Sequence, residues 1–156
     1  MINFGQIDEQ LFIGSAPQNS VDVARLKQMK ISAVLSLQSD PDIRAHRIDW
    51  QKLQNAYQYN DLHFQRFPII DFDEQDLGKR LPQPIRALEQ LIGLQHKVYV
   101  HCNAGICRAP ATVLGYLCHF RDMSIEVALE YIRRQRPHAN PYLGAVRLAL
   151  LELKRA

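Results

Sequence analysis

The sequence predicts an α/β domain with helices on both faces of a sheet. Short apolar runs of strand character, at Leu11–Gly14, Ile31–Leu37, Leu62–Phe67 and Val98–Val100, alternate with stretches of helical periodicity. The stretch after Val100, from Ala109 to about Phe120, is apolar on most sides, as a central buried helix must be. The 156 residues form one domain, 1–156, and their 47% hydrophobic and 22% charged content is ordinary for a globular chain with a real core.

Taken in order, Ile2–Ile7 and Leu11–Gly14 flank Asp8-Glu-Gln10 and read as a short hairpin. Asn19 or Ser20 caps a helix that carries Val23, Ala24 and Leu26 inward. Ile31–Leu37 is a strand, ended by the turn-rich Gln38-Ser-Asp-Pro-Asp42, whose proline excludes further sheet pairing. Residues 46–58 read as helical, with Trp50, Leu53 and Tyr57 three and four apart, and Leu62–Phe67 alternates as a strand up to Pro68. An acidic loop, Ile69–Asp76, precedes a helix with Leu81, Ile85, Leu88 and Ile92 on one face and Gly93 near its end. Ser124 caps a helix stopped by Pro137, and Asn140-Pro141 reads as N-cap and first residue of the last helix.

Composition excludes several classes of function. A net charge of +3 gives nucleic-acid binding little support. No apolar run is long enough for a bilayer span, and the N-terminus has neither the basic nor the apolar region of a signal peptide. The three cysteines, Cys102, Cys107 and Cys118, have neither disulfide-scaffold nor zinc spacing, so a reducing, cytoplasmic setting and no metal are expected.

Chemistry concentrates in Val98-Tyr-Val-His-Cys-Asn-Ala-Gly-Ile-Cys-Arg108. A buried strand leads into a tight loop and then into a helix with Pro110 in its first turn. That geometry aims successive backbone N–H groups and a positive helix end at one point. Cys102 lies among those donors and near Arg108, all of which favour its thiolate. The amides of Asn103, Ala104, Gly105, Ile106 and Cys107, with the planar fork of Arg108, suit the oxygens of a phosphoryl group. Gly105 lets the backbone curl around the anion. The implied reaction is attack of the Cys102 sulfur on phosphorus and hydrolysis of a phosphocysteine, without metal or cofactor. A poor leaving alkoxide needs an acid, and Asp71 is preferred for it over Asp73 in Asp71-Phe-Asp-Glu-Gln-Asp76.

His101-Cys-Asn-Ala-Gly-Ile-Cys-Arg108 resembles the H-C-x-x-G-x-x-R signature of protein tyrosine and dual-specificity phosphatases. The resemblance implies a central, mostly parallel sheet of about five strands flanked by helices. It also implies Cys102 as nucleophile with His101 beside it in support, Arg108 as phosphate ligand and an aspartate on a separate loop as general acid. Asp71 matches that acid's position. Leu11-Phe-Ile-Gly-Ser15, Leu37–Asp42, Asp71-Phe-Asp73, Arg80-Leu-Pro82 and especially Arg108-Ala-Pro110 look like the plant glucan phosphatases of the starch-excess group, and more distantly laforin. Typical members of the wider family carry Ser or Thr after the arginine; the plant enzymes share Ala109.

The substrate implied is a phosphorylated α-glucan, with a phosphoprotein as the alternative; no other partner is implied and a monomer is expected. Phe72 resembles an aromatic that contacts glucan in that group and Asp73 adjoins it; around His138-Ala139-Asn140 the plant enzymes can carry a further aromatic contact, but the matching position here is small, which leaves His138 as the candidate contact. Trp50, Tyr57 and Tyr59 could extend a sugar platform, although packing is the better expectation for each. Cys107 stands where a glycine is common. It is either inert packing, the preferred reading, or a partner for a reversible disulfide with Cys102.

Overall fold

Five strands form one sheet: β1 (Phe4–Asp8), β2 (Leu11–Gly14), β3 (Ala33–Ser36), β4 (His63–Arg66) and β5 (Val98–His101). They belong to a computed structural model that describes residues 1–155. Their order across the sheet is β1-β2-β5-β3-β4, with the β1–β2 hairpin antiparallel and every other pairing parallel. Eight helices are seen among the described residues: α1 (Ser20–Gln28), α2 (Asp40–Ala45), α3 (Trp50–Tyr59), α4 (Glu74–Arg80), α5 (Pro82–Gly93), α6 (Arg108–Phe120), α7 (Ile125–Gln135) and α8 (Leu143–Arg155).

The period of two along each central strand sorts the core into two layers. Leu11, Ile13, Ala33, Leu35, Val98 and Val100 point to one face, where α4 to α8 bring Leu77, Ile85, Leu88, Leu114, Ile132 and Val146. Phe12, Val34 and Tyr99 point to the other, where they meet Val23 and Leu26 of α1 and Leu53, Ala56 and Tyr57 of α3. Helices therefore cover both faces of a mostly parallel five-stranded sheet. The all-round burial of α6, from Arg108 to Leu117, makes it the central helix of the thicker layer.

Local chemistry starts most helices where the sequence places them. Asn19 caps α1, and Ser124 caps α7 by accepting from the Val127 amide. Four stretches differ from expectation. The helix expected over 46–58 begins only at Trp50, because Asp49 caps it by accepting from the Lys52 amide. The Gln38–Asp42 turn opens into α2, because Ser39 and Asp42 form a reciprocal capping box and Pro41 suits a first helical turn. The acidic Ile69–Asp76 loop is shorter than expected, because Asp73 accepts from the Asp76 amide and starts α4. The last helix begins at Leu143 rather than at Asn140-Pro141. The Asn140 amide is spent on the Ile106 carbonyl at 2.6 Å, so this segment is drawn onto the cysteine loop instead of into a helical turn.

Because β2, β5, β3 and β4 run parallel, the segments leaving their C-terminal ends gather along one edge of the sheet, where open α/β sheets form their crevices. Truncating the central helix tests how far this edge depends on the core behind it. Leu114→Ala, at a fully buried position, is expected to lower the unfolding free energy by about 2–5 kcal/mol, read from urea denaturation followed by circular dichroism.

Candidate active site

The loop between β5 and α6 has all its carbonyls turned outward. The Ala16 amide donates to the carbonyl of Asn103 at 3.0 Å, and the Asn140 amide donates to that of Ile106. Arg136 donates through Nη2 to the Ala104 carbonyl at 2.7 Å and through Nε to the Gly105 carbonyl at 3.1 Å. His101 Nδ1 contacts the Cys102 carbonyl at 3.0 Å, and the Cys107 carbonyl accepts from Ala111 inside α6. A peptide unit whose carbonyl is fixed outward presents its N–H inward, so six satisfied carbonyls aim the loop amides at one concavity. Gly105 makes the closure possible. Its φ is +72°, and a Cβ there would stand 2.5 Å from the Gly14 carbonyl oxygen.

Arg108 completes the concavity from below. The side chain is 2% exposed, and Nη1 is consumed by the Asp42 carboxylate at 2.6 Å and the Ile69 carbonyl at 2.7 Å, with the Leu37 carbonyl at 3.4 Å. Nε and Nη2 have no hydrogen-bond acceptor among the described residues. Nη2 lies 3.3 Å from Asp71 Oδ2 in a looser ion pair. One edge of the fork is anchored and the other is presented, the arrangement that bidentate recognition of a phosphoryl group requires. Asp42 shows the same network from the other side. Burial alone would push its carboxyl up, but hydrogen bonds from Arg108, Ser39 and Asn103 hold it below the usual carboxylate value.

The pocket so formed, about 150 Å³, is lined by Asp71, Phe72, Cys102, Asn103, Ala104, Ile106, Cys107 and Arg108. The structure thus brings Asp71 beside the cysteine loop. Phe72 is 86% exposed at the rim with φ +59°, a left-handed conformation uncommon for an aromatic residue. Asp73 is turned to the α4 terminus as a cap. His138 is exposed and lies outside this pocket, in an adjoining groove of about 370 Å³ that shares Ala104 and Ile106 with it. Burial pushes the Cys107 thiol up, only partly offset by the Tyr142 backbone contact, as suits packing. Tyr57 is buried against Phe64 with its ring stacked at 4.7 Å. Tyr59 is 91% exposed but ends α3, just before the N-terminal end of β4 and so at the far edge of the sheet. Trp50 packs edge-on against Phe64 under the Arg66 guanidinium, at the near edge.

Sequence reasoning did not single out Asp42, Gln38 or Arg136 as parts of this site. For Asp42 a signal existed: Ser39-x-x-Asp42 with Pro41 between is a helix-start pattern, and a capping acid there stands at the end of a buried strand. For Arg136, one of three arginines among residues 133–136, nothing local distinguishes the side chain that reaches the loop.

The same residues match a known family. A model described as the dual specificity phosphatase catalytic domain matches residues 11–155. The chain belongs to that family. Among curated relatives of this phosphatase domain, the chloroplastic phosphoglucan phosphatase LSF1 of Arabidopsis thaliana is 32% identical over 84% of the chain and 22% of its own length. The amyloplastic phosphoglucan phosphatase DSP4 of Castanea sativa is 31% identical over 97% of the chain and 41% of its own length. The dual specificity protein phosphatase Mpk3 of Drosophila melanogaster is 31% identical over 84% and 29%. The chain therefore spans less than half the length of these relatives. The solved structure of PTPMT1 shares the fold at a TM-score of 0.78 and 20% identity, covering 98% of this chain and 95% of that one. Kinase associated phosphatase does so at 0.79 and 16%, covering 100% and 97%.

In this phosphatase domain the histidine before the cysteine is wholly buried. Burial pushes its imidazole down to about 4, with the adjacent Arg108 charge acting in the same direction. A carbonyl can only accept, so Nδ1 carries the proton and Nε2 is the bare nitrogen, without a partner among the described residues. A histidine kept neutral in the fold but free to protonate when unfolded makes the unfolded chain bind more protons at low pH. Its contribution is complete above about pH 6.5 and is lost as pH falls toward about 4. The unfolding free energy from denaturant titrations is expected to decline across that window, and His101→Gln is expected to flatten the decline.

Proposed function

We propose that the domain hydrolyses phosphate monoesters through a phosphocysteine, with phosphorylated α-glucan as the substrate. The observation that carries the chemistry is the six outward carbonyls and the anchored arginine, which together assemble donors around Cys102 for a tetrahedral dianion. The Cys102 thiolate attacks phosphorus and the sulfur–phosphorus bond forms. The bond to the leaving oxygen breaks as Asp71 transfers its proton to that oxygen. Water then attacks the phosphocysteine, Asp71 accepts its proton, and the sulfur leaves as thiolate with release of inorganic phosphate. Charge on the equatorial oxygens is met by the loop amides and by Nε and Nη2 of Arg108.

The glucan reading is supported by the two plant relatives, both phosphoglucan phosphatases, and by the rim. Phe72 offers an aromatic face beside the acid, of the kind that stacks on sugar rings. Ala109, fully buried after Arg108, supplies no hydroxyl to assist the cysteine as it leaves. A phosphoprotein substrate is the second reading, favoured by the similarity to the Drosophila protein phosphatase. A reducing, cytoplasmic setting suits an enzyme whose nucleophile is a free thiol.

Cys102→Ser is expected to abolish release of inorganic phosphate from every monoester; undiminished turnover of an aryl phosphate by that variant would refute the mechanism. Phosphate release from solubilised amylopectin is expected to exceed that from a phosphotyrosine peptide at equal phosphate concentration. Preference for the peptide would replace the glucan reading with the phosphoprotein one.

A further inference from the structure

The side-chain amide of Asn103, in the lining of the pocket, is spent on protein partners. Its Oδ1 accepts from Gln38 Nε2 at 2.9 Å. Gln38 is itself buried at the end of β3, with its carbonyl accepting from Arg66. This lock settles which way the amide faces, because the opposite side of Asn103 meets two carboxylates, which only accept. Nδ2 donates to Asp42 Oδ1 at 2.9 Å and stands 3.4 Å from Asp71 Oδ2. Arg108 touches the same two carboxylates from below, Asp42 through Nη1 and Asp71 through Nη2. Arg108, Asp42, Asn103 and Asp71 therefore close a ring in which Asp71 has two tethers.

The two tethers answer differently to substrate. Nη2 is one of the donors that a bound phosphoryl group takes, and a bidentate contact with a dianion displaces a 3.3 Å ion pair. The amide of Asn103 is held by Gln38 and Asp42 and is neutral, so it can hold an oxygen of Asp71 whether that carboxyl is charged or protonated. What otherwise restrains Asp71 is its contact with the next residue, the Phe72 amide at 3.1 Å.

We propose that Asn103 is a positioning residue for the general acid. Locked by Gln38 and Asp42, its side-chain amide keeps the Asp71 carboxyl over the cysteine loop while substrate occupies Arg108. This rests on the reading of Asp71 as the acid.

The test uses two aryl monoesters that bind alike but differ in leaving group. Phenyl phosphate needs a proton at its leaving oxygen, whereas 4-nitrophenyl phosphate needs it little. In Asp71→Asn, kcat/KM for phenyl phosphate is expected to fall by about 10²-fold relative to 4-nitrophenyl phosphate. In Asn103→Ala the same ratio is expected to fall about tenfold, with little further change when Asn103→Ala is added to Asp71→Asn. A purely structural role lowers both substrates equally and leaves the ratio at its original value; that result, with the ratio reduced in Asp71→Asn, overturns the role of Asn103 alone. An unchanged ratio in Asp71→Asn overturns the acid assignment and the positioning role with it. Gln38→Met, which frees the amide without removing it, is expected to shift the ratio in the same direction as Asn103→Ala, and gives the reading if the latter does not fold.

Discussion

The pairing of Arg108 with Asp42 is the constraint on which the site depends. A guanidinium taken out of water is costly unless its donors find partners, and the nearest partners here are scattered along the chain. Asp42 belongs to α2 and the Leu37 carbonyl to the end of β3, while the Ile69 carbonyl follows β4. One buried side chain at the start of α6 thereby fastens the loops that leave three neighbouring parallel strands. Because those partners saturate Nη1, the fork has one orientation, and its other edge, held only by the looser Asp71 pair, is left to the pocket it lines with the cysteine loop. The ion pair contributes geometry more than stability.

The sheet explains why these loops are neighbours at all. β3 and β5 pair in register from Ala33 with Val98 to Ser36 with His101, so the turn toward α2 and the cysteine loop emerge side by side. Alternation along those strands commits Val98 and Val100 to the α6 layer and Tyr99 to the α1 and α3 layer. The Tyr99 hydroxyl then reaches the Ser15 carbonyl at 2.6 Å, beneath the segment whose Ala16 amide holds Asn103. A Cβ on Gly14 would collide with that hydroxyl, which ties a glycine of β2 to the shape of the loop it borders.

Strands, layers and the cysteine loop were legible because each is written locally, in alternation, in helical spacing or in a strand-to-helix junction. The short helices α2 and α4 were not, since six or seven residues make too few turns for periodicity to show. Their caps, Ser39 and Asp73, carried the local record, joined in α2 by Pro41 and Asp42. The start of α8 failed for a different reason: Asn140 and Pro141 favour a helix locally, but the Asn140 amide has a tertiary acceptor in Ile106. Of the site, Cys102, Arg108 and Asp71 stand at positions a motif can mark. Asp42 and Arg136 act through contacts spanning 66 and more than 30 residues, and no local pattern encodes a distance of that kind.

The outward carbonyls have a consequence for how the chain acquires its chemistry. Their partners are drawn from Ala16, near the beginning, and from Arg136 and Asn140, near the end. Arg136 and Asn140 follow Cys102 by more than thirty residues and Ala16 precedes it by more than eighty, so the loop does not take its shape from its own segment. Grafting the eight-residue loop from His101 to Arg108 onto another strand–helix junction would transfer the sequence of the site without the scaffold that turns its amides inward.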